Sequence, residues 1–509
     1  ARVRASAEGE SEPSPLLYQH ALRDVIGRCL YGVDVNPMAA ELCRVGLWLE
    51  ALEPGKPLSF LDHHIRVGNA LLGTTPELIA AGLPDKAFTA IEGDDKKACA
   101  VLKKRNNGER KGLGPLFAQQ DAKTQARLQR AAAALEDLPD DRPEDICAKE
   151  LAFRRHEETE EYRQKKRLAD AWCAGFVIKK HFREPGRETS ASGITQGHLN
   201  NLVDGQSLPG DLAAETERLS GQYQFLHWHL AFPEVFSRGG FDCVLGNPPW
   251  EAEELVEKEF FAAEAPHIAS VRTKAKRSAL IAALETIAPQ LFRAWQDAVR
   301  QFDGRINFMR NSGAFPLGSS GKLNTYRLFA ELAARLVTPR GRAAQILKSG
   351  IVSAQDSQKL FASWLREGRV VQAREFINTR LIFPDVVANE RFCWLVLTGR
   401  GDKSRSATFA FALERVEEAV DSLRLFSALP EELALLNPAD NSVPPLSSQR
   451  DFRLVLRIHR CAQPLRLEES NFNPWRIHYA QGHLNSASDS GLFADNTLEQ
   501  LEGSGAVLE

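Results

Sequence analysis

The string Phe241 to Trp250, FDCVLGNPPW, holds the residues best placed to do chemistry. Cys243, Val244 and Leu245 form a short apolar run that ends abruptly in Gly246-Asn247-Pro248-Pro249-Trp250. Such a run predicts a short buried strand that stops at its carboxyl end. In open α/β sheets, ligands bind outside the carboxyl ends of the strands. Two prolines in a row cannot continue a ladder of backbone hydrogen bonds, and they fix the path by which the chain leaves the sheet. The Asn247 amide is thereby held at a strand tip, with the Trp250 ring three residues on. The plainer reading of the same string is a strand followed by a proline-rich turn.

Two other strand tips carry polar residues. CLYGVDVNP, from Cys29 to Pro37, predicts a strand ending in an acid, then a turn, then an amphipathic helix over 38–52. A Rossmann-like fold uses the order strand, acid, helix to set a carboxylate against ribose hydroxyls. Asp34 is the candidate for that role, or else a cap for the turn or the helix. PLSFLDHHIRVGNALLG, from Pro57 to Gly73, predicts a strand at 65–67 with Gly68 and Asn69 at its tip. Asn69 is a candidate partner for the adenine of a cofactor, or marks an ordinary strand-to-turn boundary. His227 and His229 suggest a metal pair, but no third ligand lies at a recognisable spacing, so packing is the preferred reading and no metal is expected.

The elements that must position these tips come from a chain of 509 residues, long enough for two or three domains or for one domain with large insertions. Apolar content of 43% and charged content of 26% are those of an ordinary soluble protein, and a net charge of −3 gives no global nucleic-acid signature. The eight cysteines include no CxxC pair and suggest reduced core residues in a cytoplasmic protein. No apolar stretch reaches membrane-spanning length, and no signal-peptide pattern is present. From about 74 to 224 the pattern turns helical and charged, with a basic run from Lys103 through Lys111 that predicts a solvated face or a contact with a nucleic-acid backbone. Residues 305–324 contain SGAFPLGSSGKLN and predict a mobile loop beside the site. Strands are expected at 343–347, 370–376 and 392–397.

The GNPPW tip resembles the catalytic motif of amino-methyltransferases that use S-adenosyl-L-methionine, Asn/Asp-Pro-Pro-aromatic. The resemblance is broader than the motif. LYGVDVNPMAAELCRVGLWLEAL, HHIRVGNALLG, FDCVLGNPPW, NTYRLFAELAARLV with TPRGRAAQIL, and FPDVVANERFCWLVL follow the order found in gamma-class DNA adenine-N6 methyltransferases. The chain is similar above all to the large methylase proteins of type IIG restriction-modification systems and of phage-defence systems such as BREX and DISARM. These blocks cover most of residues 16–400.

The resemblance implies an α/β fold, a Rossmann-like S-adenosylmethionine-dependent methyltransferase sheet with a large helical insertion. It divides the chain into an N-terminal core part at 1–74, the insertion at 75–224, a catalytic core part at 225–400 and the start of a C-terminal, target-recognition region at 401–509. It assigns Asn247, Pro248, Pro249 and Trp250 to catalysis and Asp34, Asn69 and Gly246 to the cofactor. Trp250 and Phe383 are assigned to stacking on a flipped target base, with a core phenylalanine as the alternative for Phe383. Asn324 and Tyr326 match pocket-lining positions without a defined role. The expected partners are double-stranded DNA and other restriction or defence subunits.

The family's glycine-rich first motif is not in the sequence, which starts at Ala1. The expectation is an internal piece of a longer protein, a sheet without its first strand, and no activity for the piece in isolation. Two rival readings stay open: an amino-methyltransferase acting on protein glutamine or RNA, and a degenerate, non-catalytic DNA-binding subunit.

Overall fold

The computed structural model describes residues 12, 14–110, 116–184, 187–404, 406–438, 441–462, 473 and 476, with backbone alone at 116–122. The expected polar start of the chain, Lys111 of the basic run and most of the tail beyond 462 lie outside the described residues.

Among the described residues ten strands form three sheets. They are β1 (Gly32–Asp34), β2 (Ile65–Val67), β3 (His181–Phe182), β4 (Ala191–Ser192), β5 (Phe241–Gly246), β6 (Val337–Lys348), β7 (Val370–Ile377), β8 (Arg391–Thr398), β9 (Ala407–Leu413) and β10 (Phe426–Ala428). The largest sheet has the order β10-β9-β7-β8-β6-β5; β1 and β2 pair with each other, as do β3 and β4. β5 and β6 are parallel, and β8 runs antiparallel to both of its neighbours, β6 and β7. The antiparallel strand β8 lies inside the sheet. Its run FCWLVL explains this, because a strand covered on both faces reads as continuously apolar. Phe392, Cys393, Leu395 and Leu397 are all buried.

β9 and β10 fall past the expected boundary at residue 400, yet they extend the same sheet. The helix Gln449–Cys461 then packs on it, with the Phe452 and Phe426 rings 5.3 Å apart. A small apolar core under these strands joins Phe409, Phe426, Leu433 and Phe452 to Leu347 and Leu395.

The stretch 75–224 is mainly helical, and it shares one core with the catalytic part. Trp172, Phe176 and Leu199 belong to the same cluster as Phe308, Phe315 and Leu332. Polar bonds reinforce the joint: Asn307 donates to the Phe176 carbonyl and Arg300 to the Val177 carbonyl. In the basic run, Lys103 and Arg110 pair with Asp85.

The helix Pro289–Asn311 covers the first residues of the expected mobile loop. The rest of that loop is pinned. The half-buried Glu331 carboxylate accepts from the Leu317 and Gly318 amides, and Asp356 accepts from the Lys322 amide. Burial pushes the Glu331 carboxyl up. Composition alone shows glycine and serine there but not the distant carboxylates that satisfy their amides. Among the described residues no helix is long and apolar enough to cross a membrane.

Candidate active site at the strand tips

β5 forms the edge of the large sheet, and among the described residues nothing pairs with its outer side. This differs from the expected buried strand: Cys243 is exposed and Leu245 is 76% exposed. Among the described residues β1 likewise pairs only with β2. The two strand pairs meet where β1 and β5 begin, with the Tyr31 and Phe241 rings 5.4 Å apart. The helix Pro37–Glu50 leaves Met38, Leu42, Val45 and Leu49 exposed. Their spacing of four, three and four residues puts them on one face.

Beyond Gly246 the chain is anchored on both sides of an uncommitted amide. Asn247 is exposed, and its side chain makes no hydrogen bond among the described residues. Pro248 is buried and its carbonyl is unbonded in the same sense. The Pro249 carbonyl accepts from Thr325 Oγ1 at 2.7 Å, and the Glu251 carbonyl accepts from the Thr325 amide and hydroxyl. Thr325 opens the helix Thr325–Leu336, which Asn324 caps by accepting from the Tyr326 amide. Asn324 thus ends a helix, and Tyr326 is buried. Trp250 Nε1 donates to the Ile346 carbonyl in β6 at 3.1 Å. Gly246 lies opposite Gln345 of β6, and a side chain there would come only within 3.7 Å of that residue.

The structure brings Phe383 to Trp250, edge-on, with centroids 6.0 Å apart and planes at 89°. Phe392 covers one Trp250 face, at 6.0 Å and 21°. Trp250 and Phe383 therefore form a corner rather than two parallel walls. The Phe383 turn is clasped by the fully buried Asn378, whose Oδ1 accepts from the Phe383 amide while Nδ2 donates to the Phe383 and Val386 carbonyls. Leu381 in this turn has φ +51°, a backbone region that non-glycine residues rarely adopt. Thr325 and Asn378 were not singled out by sequence, because what they hold lies far along the chain or depends on the fold of a turn.

On the other side, Asp34 ends β1 and is exposed. Its Oδ1 accepts from the Asn36 amide at 2.7 Å, and Asn36 in turn caps the helix Pro37–Glu50. Asn69 Oδ1 accepts from the Leu71 amide at 3.0 Å. Among the described residues each side chain keeps one polar group uncommitted: Asp34 the second oxygen, Asn69 the NH2. The loop after β2 is stitched to residues 224–228. The Asn69 amide donates to the Gln224 carbonyl, the Leu226 amide to the Leu72 carbonyl, and Trp228 Nε1 to the Ala70 carbonyl. Gly73 is required by this approach, since a Cβ there would lie 1.8 Å from the Leu226 oxygen. Among the described residues no hydrogen bond or ring contact joins Asp34 or Asn69 to 247–250.

His227 bridges Asp170, at 3.0 Å from Nε2, and the Thr74 amide. Burial, aided by the nearby His227 and Lys165 charges, pushes His229 down to about 3.

Residues 28–281 match the family model of the Eco57I restriction-modification methylase. That match supports a restriction-modification methylase family for the chain, and the mixed α/β architecture with its six-stranded mixed sheet accords with it. Two solved structures are similar in part. One is the ATP-dependent Type ISP restriction-modification enzyme LlaBIII bound to DNA, at 12% identity and a TM-score of 0.18, over 41% of this chain and 12% of that one. The other is a modification subunit of a putative type I restriction enzyme from Vibrio vulnificus YJ016, at 10% identity and a TM-score of 0.24, over 82% of this chain and 87% of that one. TM-scores this low carry no argument for either. The chain spans only 12% of the length of the first. No curated protein matches.

Proposed function

We propose that the chain is the methylase portion of a restriction-modification or phage-defence protein, one that transfers a methyl group from S-adenosyl-L-methionine to adenine N6 in double-stranded DNA. The observation that carries this reading is the pair of uncommitted acceptors at the β5 tip, the Asn247 amide and the Pro248 carbonyl, clamped between Thr325 and Ile346.

The exocyclic amine of adenine is a poor nucleophile because its lone pair is delocalised into the ring. Asn247 Oδ1 and the Pro248 carbonyl can each accept one of its N–H bonds. They draw the nitrogen toward tetrahedral geometry and stabilise the positive charge that develops there. The clamp fixes both acceptors before the base arrives, so little reorganisation is needed. One N–H proton then leaves to solvent. The base must leave the duplex to reach the tip, and the Trp250 face away from Phe392 is the stacking surface this reading gives it. Phe383, edge-on to Trp250, limits how far the base can slide.

The cofactor side fits an adenosine-containing molecule. The free Asp34 oxygen suits a ribose hydroxyl, the Asn69 NH2 suits an adenine ring nitrogen, and Gly246 leaves room beside the tip. When bound, S-adenosyl-L-methionine supplies the electrophilic methyl group. The reading calls for one more strand, glycine-rich at its tip, between the unpaired edges of β1 and β5. Its connecting helix would cover Met38, Leu42, Val45 and Leu49.

The test is methyl transfer from labelled cofactor by the full-length protein to DNA, RNA or protein. DNA labelled at adenine N6, lost in Asn247→Ala with the fold intact, is expected. Label in protein glutamine or RNA, or full activity in Asn247→Ala, would overturn the reading. Failure of the full-length protein to bind the cofactor at all would favour a non-catalytic DNA-binding subunit.

A further inference from the structure

The methylase reading leaves one buried cluster unused, and it sits where the helical insertion meets the core. His63 and His64, just ahead of β2, are 5% and 0% exposed. The Nε2 atoms of both lie 3.0 Å from the same oxygen, Glu136 Oε1. Glu136 is the last residue of the helix Leu116–Glu136, in the insertion.

Ordinary hydrogen bonding accounts for only part of this arrangement. His64 Nε2 is placed to bond the carboxylate. His63 Nε2 is equally close but out of line, so among the described residues neither ring nitrogen of His63 has a hydrogen-bond partner, and His64 Nδ1 also lacks one. Buried polar atoms without partners are uncommon and call for an explanation. All three ligand atoms lie within 4.8 Å of one another. A tetrahedral zinc ion, with bonds of about 2.0–2.1 Å, sets its ligand atoms about 3.3 Å apart. The two 3.0 Å separations are close to that spacing. Beside the cluster is a cavity of about 20 Å³, bordered by His63, Glu136, His156 and Glu234. That is room for about one water. Two imidazoles, one carboxylate and an open fourth position form a donor set that suits zinc.

We propose that His63, His64 and Glu136 form a divalent-cation site of the zinc type, completed by a water in the adjoining cavity, which ties the insertion to the strand that leads into the Asn69 loop. The site stands independently of the methyl-transfer reading. Its role is structural: the cation fixes the end of an insertion helix against the segment entering β2. Lys149, also buried, is close enough to act on the Glu136 charge.

The full chain, stripped with chelator and dialysed against Zn2+ or Co2+, tests the site. About one equivalent retained per chain is expected, with a tetrahedral visible spectrum for Co2+ and a melting temperature that rises with Zn2+. Glu136→Gln and His63→Ala should each weaken Zn2+ binding a hundredfold or more. His156→Ala, which borders the cavity without contributing a ligand, should leave binding unchanged. If the ligand variants fail to fold, the Co2+ spectrum of the unaltered chain still decides, because imidazole and carboxylate donors in a tetrahedron give visible bands without the intense near-ultraviolet absorption of thiolate ligands. No retained cation, an octahedral Co2+ spectrum, or undiminished binding in folded Glu136→Gln would each overturn the proposal.

Discussion

At the tip of β5 the Asn247 side chain makes no hydrogen bond among the described residues, whereas at the tips of β1 and β2 both Asp34 and Asn69 spend an oxygen on their own turn. The β5 tip is held instead by groups remote in sequence, Thr325 on Pro249 and Ile346 on Trp250. The two regions therefore hold polar groups in position by different means. Asp34 and Asn69 are oriented by local turns and can each offer a ligand only the group left over. Asn247 is oriented by what clamps its neighbours and offers its whole amide. A substitution at Asn247 should thus cost activity and little stability, while the loop carrying Asn69 should be sensitive to backbone packing.

The sharpest break in this comparison is Asn247→Ala. Removing a preorganised charge-stabilising partner typically costs about 10²–10³ in turnover, and because the side chain is exposed and unbonded the melting temperature should stay within about 2 °C. A large loss of stability would show that the amide holds the fold. Next comes Gly73→Ala. A Cβ 1.8 Å from the Leu226 oxygen must push the two loops apart, so a loss of about 3 kcal/mol by denaturant titration is expected. A neutral result would show that the junction is loose.

Asp34→Asn isolates the left-over oxygen, since the amide can still accept from the Asn36 amide. Stability should change by less than about 0.5 kcal/mol and cofactor affinity should fall by about tenfold, measured by calorimetry on the full-length protein. Thr325→Val removes the hydroxyl that holds Pro249. A loss of about 1 kcal/mol is expected, with lower kcat and unchanged cofactor KM. Equal effects of this variant on both parameters would erase the distinction between the two regions.

A separate effect concerns pH. His229 is pushed down to about 3 by burial, so the unfolded chain binds its proton first as pH falls below the ordinary histidine range. Stability then rises with pH through that window and falls toward acid, by at most about 1.4 kcal/mol per pH unit. His229→Leu should flatten this slope in denaturant midpoints measured between pH 4 and 7 (about the span from the folded to the unfolded value). An unchanged slope would assign it elsewhere.

Local pattern was enough to place the strand ends. The acid that closes GVD, the GN after IRV and the stop at NPP each coincide with the end of β1, β2 or β5, because proline, glycine and cap chemistry act over a few residues. The helical character of 75–224 was legible for the same reason. Burial was not legible. β5 reads as a buried strand but lies at an edge, because burial depends on what pairs with it and not on its own residues. The interior position of β8 and the extension of the sheet by β9 and β10 also depend on pairing partners that no local window contains.

The sequence by itself determined which residues sit at strand tips and which chemistry they are suited to: an amide and two prolines before an aromatic ring, an acid before a helix. Only the tertiary structure decided which of these groups are committed and which are free, since commitment depends on partners such as Thr325 for Pro249, Asn378 for Phe383 and Leu226 for Gly73. His63 and His64 are adjacent in the chain and show no pattern that points to Glu136. Folding brings that carboxylate across 72 residues to within 3.0 Å of both rings. The physical reason is that backbone preferences act over a few residues, while hydrogen bonds and ligand sets are satisfied by whatever the packed core brings within about 3 Å.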